Sequence, residues 1–164
     1  VRTYTCENCG ATKKTTIPVL NLAGKTIQDK TTNGVYKVLS STSVEYTKPI
    51  AKRVAVNIPA TVKLSGKTFN VTKISANAFR NNTVMKSLTI GSNVTTIGAN
   101  AFYGCKNLNT VIIKTAKLTS KTVGANAFAK TGAKPVVTVP AKQFNTYKTL
   151  LRSKGMSTKA VYKK

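Results

Sequence analysis

The stretch that decides the fold is Ile97–Ile113, "IGANAFYGCKNLNTVII", because its centre, Ala-Asn-Ala-Phe, occurs three times in the chain. Aligned on Phe79, Phe102 and Phe128, the surrounding residues keep a fixed register. Ile74, Ile97 and Val123 stand five residues before the Phe; Ala78, Ala101 and Ala127 stand one before it; Ile90, Ile113 and Val139 stand eleven after it. The periods, 23 and 26 residues, fall in the range of leucine-rich solenoids. The three extra residues of the last unit lie between Ile113 and Val123, in a connecting turn, so the core spacing survives the insertion.

Each position has a physical task. Met85, Leu88 and Ile90, then Leu108, Val111 and Ile113, give an L-x-x-L-x-L pattern, whose short strand stacks on its neighbour through main-chain hydrogen bonds about 4.8 Å apart. Leu88 to Ile90, Val111 to Ile113 and Val137 to Val139 are therefore expected as neighbouring parallel strands. Ala-Phe is placed on a short helical turn, with the small Ala allowing close approach and the Phe filling the interior. In the third unit Lys134 replaces the Leu and Pro135 follows, the signature of an array that is ending.

Outside the repeats, residues 1–33 read as a linker and the remnant of an upstream cysteine-containing module. Val35 to Leu39 and Val44 to Tyr46 alternate as a hairpin. Val54, Val56 and Ile58 lead through Pro59 to a second hairpin in which Val62 and Leu64 face Phe69 and Val71 across Ser65-Gly66. The predicted organisation is a leucine-rich repeat domain over 34–164: a β-hairpin N-terminal cap at 34–72, three repeats at 73–140 and a helical C-terminal cap at 141–164. Phe144, Tyr147, Leu150 and Leu151 carry the helix of that cap, with Gly155 as its stop and a last strand near Val161. The fold class is a β-rich α/β solenoid.

Charge is the abnormal bulk property: 27 Lys and Arg against 3 acids in 164 residues, with no His. The acids are Glu7, Asp29 and Glu45, so 21 basic residues follow Tyr46 with no carboxylate among them. Only four of the cations are Arg, and Lys is a hydrated point charge rather than a bidentate fork, which suits diffuse attraction better than base reading. Acid-base and nucleophilic catalysis both need a tuned partner group, and this inventory offers hydroxyls and Cys105 nothing but Lys. The chain is read as not an enzyme, with no cofactor.

Cys6-x-x-Cys9 has the spacing of half a zinc knuckle, but a structural site takes four ligands and only Cys105 remains, so no metal site is assigned. No apolar run approaches the roughly 20 residues of a membrane span. The chain opens at Val1 within what looks like an interrupted motif, so the lack of a leader says nothing about export.

The run "KISANAFRNNTVMKSLTIGSNVTTIGANAFYGCKNLNTVII" resembles the BspA-like leucine-rich repeat family of bacterial surface proteins, as does the "VPAKQFNTYKTLLRSKG" ending. "YTCENCGATKKTTIPVL" resembles the tail of a cysteine-containing module that precedes such arrays. The resemblance implies a cell-surface or secreted binding scaffold, an adhesin fragment that contacts host extracellular matrix protein, mucosal glycan or wall teichoic acid, and it brings no catalytic residues. Lys73, Lys86, Lys106, Lys114, Lys117 and Lys121 fall at polar steps between core positions and are the candidate ligand-binding residues, expected to project outward. Two other readings stand beside this one. A nucleic-acid or general polyanion-binding protein fits the charge but lacks a reading helix or an aromatic stacking platform. A structural spacer would use its lysines for solubility. A monomer is expected.

Overall fold

The computed structural model describes residues 22–164 throughout and, before them, the backbone of two strands, β1 (Arg2–Thr5) and β2 (Thr12–Thr15), which pair antiparallel. Cys6 and Cys9 lie outside the described residues. Next come β3 (Thr26–Asp29), β4 (Gly34–Val38) and β5 (Ser43–Pro49), an antiparallel ribbon. The segment at 22–33 is thus part of the folded unit rather than linker: β3 pairs along β4, Leu22 is buried, and the Asp29 carboxylate accepts the backbone N–H groups of Thr31 and Thr32 to close the turn.

The strands β6 (Ala55–Ile58), β9 (Ser87–Ile90), β11 (Thr110–Ile113), β12 (Val136–Thr138) and β13 (Val161–Lys163) form one parallel sheet in that spatial order. The register expected for the three repeats holds, with Leu88, Val111 and Val137 side by side. Two strands join them from outside the repeats: Val56 lies beside Leu88 and Tyr162 beside Val137. So β6, expected within the N-terminal hairpins, is instead the first strand of the repeat sheet. Its alternation of exposed Ala55 and Asn57 with buried Val56 and Ile58 fits one face on the core.

A second ladder runs along another side of the coil. Here β7 (Thr61–Leu64) and β8 (Lys67–Ile74) make the expected antiparallel hairpin across Ser65-Gly66, with Val62 opposite Phe69 and Leu64 opposite Lys67, and Val62, Leu64, Phe69 and Val71 all buried. Ser65 and Gly66 both have positive φ, 48° and 81°, as a two-residue hairpin turn requires. The far end of β8 then pairs in parallel with β5 on one side and with β10 (Thr96–Ile97) on the other, and Ile97 bridges to Val123. Tyr46, Ile74, Ile97 and Val123 therefore lie in one row.

The Ala-Phe segments are not helical. Asn77, Asn100 and Asn126, each two residues before a Phe, have φ of 58°, 55° and 55°, and Asn81, Gly104 and Lys130, each two after, are also left-handed. In that conformation alternate backbone N–H groups point to the next coil, while those between them donate back along their own, as Arg80 does to Asn77 and Tyr103 to Asn100. Asn77, Phe79 and Asn81 donate to the carbonyls of Ala99, Ala101 and Tyr103; Asn100, Phe102 and Gly104 donate to those of Ala125, Ala127 and Ala129. Asn is among the few side chains that tolerate left-handed backbone, which explains its place in each Ala-Asn-Ala-Phe.

Inside the coil the three Phe rings stack at centroid separations of 5.4 Å and 5.2 Å. The column is longer than the repeats: Tyr46 stacks on Phe79 at 5.4 Å and Tyr36 meets Tyr46 edge-on at 5.3 Å. After β12 the helix α1 (Phe144–Ser153) buries Tyr147, Leu150 and Leu151 against the last coils, and Phe128 donates its N–H to the carbonyl of Lys154 just beyond it.

Candidate functional site

The connection from β11 to Val123 holds the insertion, and it is fastened at buried points. Thr115 is fully buried and its hydroxyl donates to the carbonyl of Val94 on the preceding coil, while accepting the N–H of Lys117. Leu118 is buried, and its N–H donates at 2.9 Å to the hydroxyl of Tyr147, which in turn donates to the Thr115 carbonyl at 3.0 Å. Burial raises the phenol above its usual range, so it stays protonated and keeps that donor. Between this loop and α1 runs a groove of about 720 Å³.

Three of the six candidate lysines lie on this connection. Lys114 leaves β11, and Lys117 and Lys121 follow in the loop; all three are exposed, and Lys117 lines the groove. Lys86 is exposed at the start of β9, its carbonyl accepting from Asn109 and Thr110 of the next coil, and Lys106 is exposed in the turn after Phe102. Lys73 differs. It is partly covered, and its ammonium lies 3.4 Å from a Glu45 carboxylate oxygen, the one salt bridge among the described residues. Glu45 is 9% exposed and also accepts from the Ser75 hydroxyl, so Lys73 is engaged in neutralising a half-sunken carboxylate rather than projecting free.

The lysines avoid one surface. On the outer side of the parallel sheet the register aligns Ala55, Ser87, Thr110, Val136 and Val161 in one row and Asn57, Thr89, Ile112, Thr138 and Lys163 in the other. Only Lys163, on the last strand, carries charge there. The five exposed candidate lysines lie instead on the turns and just outside the strand ends, while other cations, such as Lys37, Lys48 and Lys63, project from the strands of the second sheet. The alternation of Ser, Thr and Asn between core residues was visible in the sequence, but assigning those positions to one face needs the strand register.

Tyr103, missed from sequence, lies on the turn side between two cations: the Arg80 guanidinium is 5.2 Å and the Lys130 ammonium 5.3 Å from its ring centre. These contacts hold two neighbouring coils' charges in place by the ring's negative face. Cys105 has no access to solvent and donates its thiol to the Phe79 carbonyl; burial pushes it up to about 11, so at neutral pH it is a thiol, not a nucleophile. Among the described residues no group of three or more Cys, Asp or Glu could hold a metal ion, and no helix is long and apolar enough to cross a membrane.

Residues 72–149 are matched, in six copies, by the profile of the BspA type leucine rich repeat region. No curated protein matches the chain significantly. Among solved structures, a leucine-rich repeat protein from Bacteroides capillosus is similar with a TM-score of 0.58 and 21% identity, over 85% of this chain and 99% of that one. A leucine rich cell surface protein from Faecalibacterium prausnitzii gives a TM-score of 0.54 and 23% identity, over 71% of this chain and 37% of that one. The chain thus spans well under half of the Faecalibacterium protein. At these identities the likeness concerns the fold, a leucine-rich repeat solenoid.

Proposed function

That the array at 72–149 belongs to the BspA-type leucine-rich repeat family is the premise from which we propose that this chain is a non-catalytic binding module of a bacterial surface protein. The ligand is an anionic polymer: mucosal glycan, wall teichoic acid or an acidic tract of host matrix protein. The contacts are made by the lysines of the turns and strand ends, Lys86, Lys106, Lys114, Lys117 and Lys121. The ribbon of β3, β4 and β5 closes one end of the stack, and α1 with β13 closes the other.

One observation carries this reading. After Glu45 the chain has no carboxylate to neutralise its cations, and five of the six lysines stand exposed without one. Such a surface attracts a polyanion through several weak point charges at once. Nucleic acid is a poorer fit, because the cations are mostly Lys rather than Arg and the half-buried Tyr103 ring is already engaged by Arg80 and Lys130. The test is a triple charge reversal, Lys106→Glu with Lys114→Glu and Lys117→Glu, titrated against heparin and against teichoic acid. Binding should weaken at least tenfold with the thermal midpoint kept, on the order of one charge-assisted contact or more. An unchanged affinity would exclude these lysines as the contact.

A further inference from the structure

We infer that the groove between the insertion and α1 is a binding site for a single acidic sugar unit, one bearing a sulfate or carboxylate. This rests on the polyanion reading and gives it a defined subsite. The groove exists because of two features that the plain repeat lacks. The third unit carries three residues more than the second, and the Tyr147 hydroxyl bonds to both Thr115 and Leu118, so the loop wall is fixed before any ligand arrives.

Its chemistry is mixed in the way a sugar requires. Buried Leu118 and Leu150 give it an apolar floor against which the C–H face of a pyranose can lie. The exposed hydroxyls of Ser120, Thr146 and Thr149 make no hydrogen bond among the described residues and are available to sugar hydroxyls. Lys117 supplies the only charge on the lining, a cation with no carboxylate on either wall. At about 720 Å³ the groove is large enough for one or two sugar rings. With no aromatic side chain on its walls it offers no stacking surface to a base.

The experiment is a titration of the full chain, followed by amide chemical shifts, with a sulfated chondroitin disaccharide, its unsulfated uronate counterpart, neutral lactose and inorganic sulfate. Saturable shifts confined to 116–120 and 143–153 with the acidic disaccharides, and absent with lactose, are expected. The two acidic probes show whether sulfate or carboxylate is preferred; inorganic sulfate reproducing the full effect would overturn the sugar site. Thr149→Trp, at an exposed helix position, should fill the groove and abolish the disaccharide shifts while keeping the thermal midpoint. Lys117→Gln should weaken the disaccharide about tenfold, one charge-assisted contact, and serves equally should the Trp variant not fold. Shifts spread over all the lysines, or none with the disaccharides, overturn the groove even if heparin still binds. Loss of heparin binding by the native chain would instead overturn the broader function.

Discussion

At Gly98 and Gly124 a single carbon decides whether coils can stack. A Cβ on Gly98 would overlap the backbone of Ala76, and one on Gly124 that of Ala99. Backbone cannot retreat as a flexible side chain can, so Gly98→Ala should cost more than about 2 kcal/mol in chemical denaturation. Gly66→Ala, at a turn with open space but φ of 81°, should cost only about 1 kcal/mol. A loss at Gly98 no larger than that at Gly66 would mean that the coils can part to admit the extra carbon. Cys105 gives a second test at this scale. Its pKa is raised from 9.0 to about 11, so the folded state holds the proton more tightly and stability is full below pH 9 and falls as pH rises through 9 to 11. The fall should be shallower in Cys105→Ala, and a Cys6→Ser, Cys9→Ser variant should show no thiol titre with Ellman's reagent until it is unfolded. The Phe register and the inward Leu and Ile were legible in the sequence because each obeys a local period. The left-handed Asn residues were not: they mimic a helical turn until one knows that their N–H groups serve the next coil.

Among the elements, the aromatic column and the insertion matter most. Phe102 stacks between Phe79 and Phe128 and is fully buried, so Phe102→Ala should cost about 3 to 5 kcal/mol, since the neighbouring rings are held by their own coils and cannot close the gap. A loss below about 1 kcal/mol would contradict its place in the core. Tyr147→Phe removes only the hydroxyl shared by Thr115 and Leu118, leaving a buried N–H and carbonyl unpaired at about 1 to 3 kcal/mol. Hydrogen exchange should then quicken across 114–122 and not at β9. Uniform acceleration would show that the loop has no separate anchor. The insertion was visible as a break in period, yet its fastening was not. Thr115 and Tyr147 are 32 residues apart, and Tyr147 reads in the sequence as one more apolar residue on a helix stripe. For the same reason β6 passed for a hairpin strand: its alternation is that of any half-buried strand, and only pairing with β9 shows its role.

For the whole molecule the governing quantity is a formal net charge of +24 on one folded chain. Its single described ion pair, Lys73 with Glu45, neutralises almost none of it. Self-repulsion should therefore make the protein more stable as salt rises from about 10 to 150 mM, where the screening length falls from about 30 to 8 Å. The charge imbalance was legible from composition, but its arrangement was not. The strand register alone shows that the parallel sheet's outer face is almost uncharged and that Lys86, Lys106, Lys114, Lys117 and Lys121 lie off it, on turns and just outside strand ends. The most direct test of the account is the affinity for heparin measured across about 50 to 200 mM salt. If several lysines together hold a polyanion by displacing counterions, the dissociation constant should rise steeply over that range. A tight complex whose affinity does not change with salt would contradict it, leaving the lysines without a part in binding.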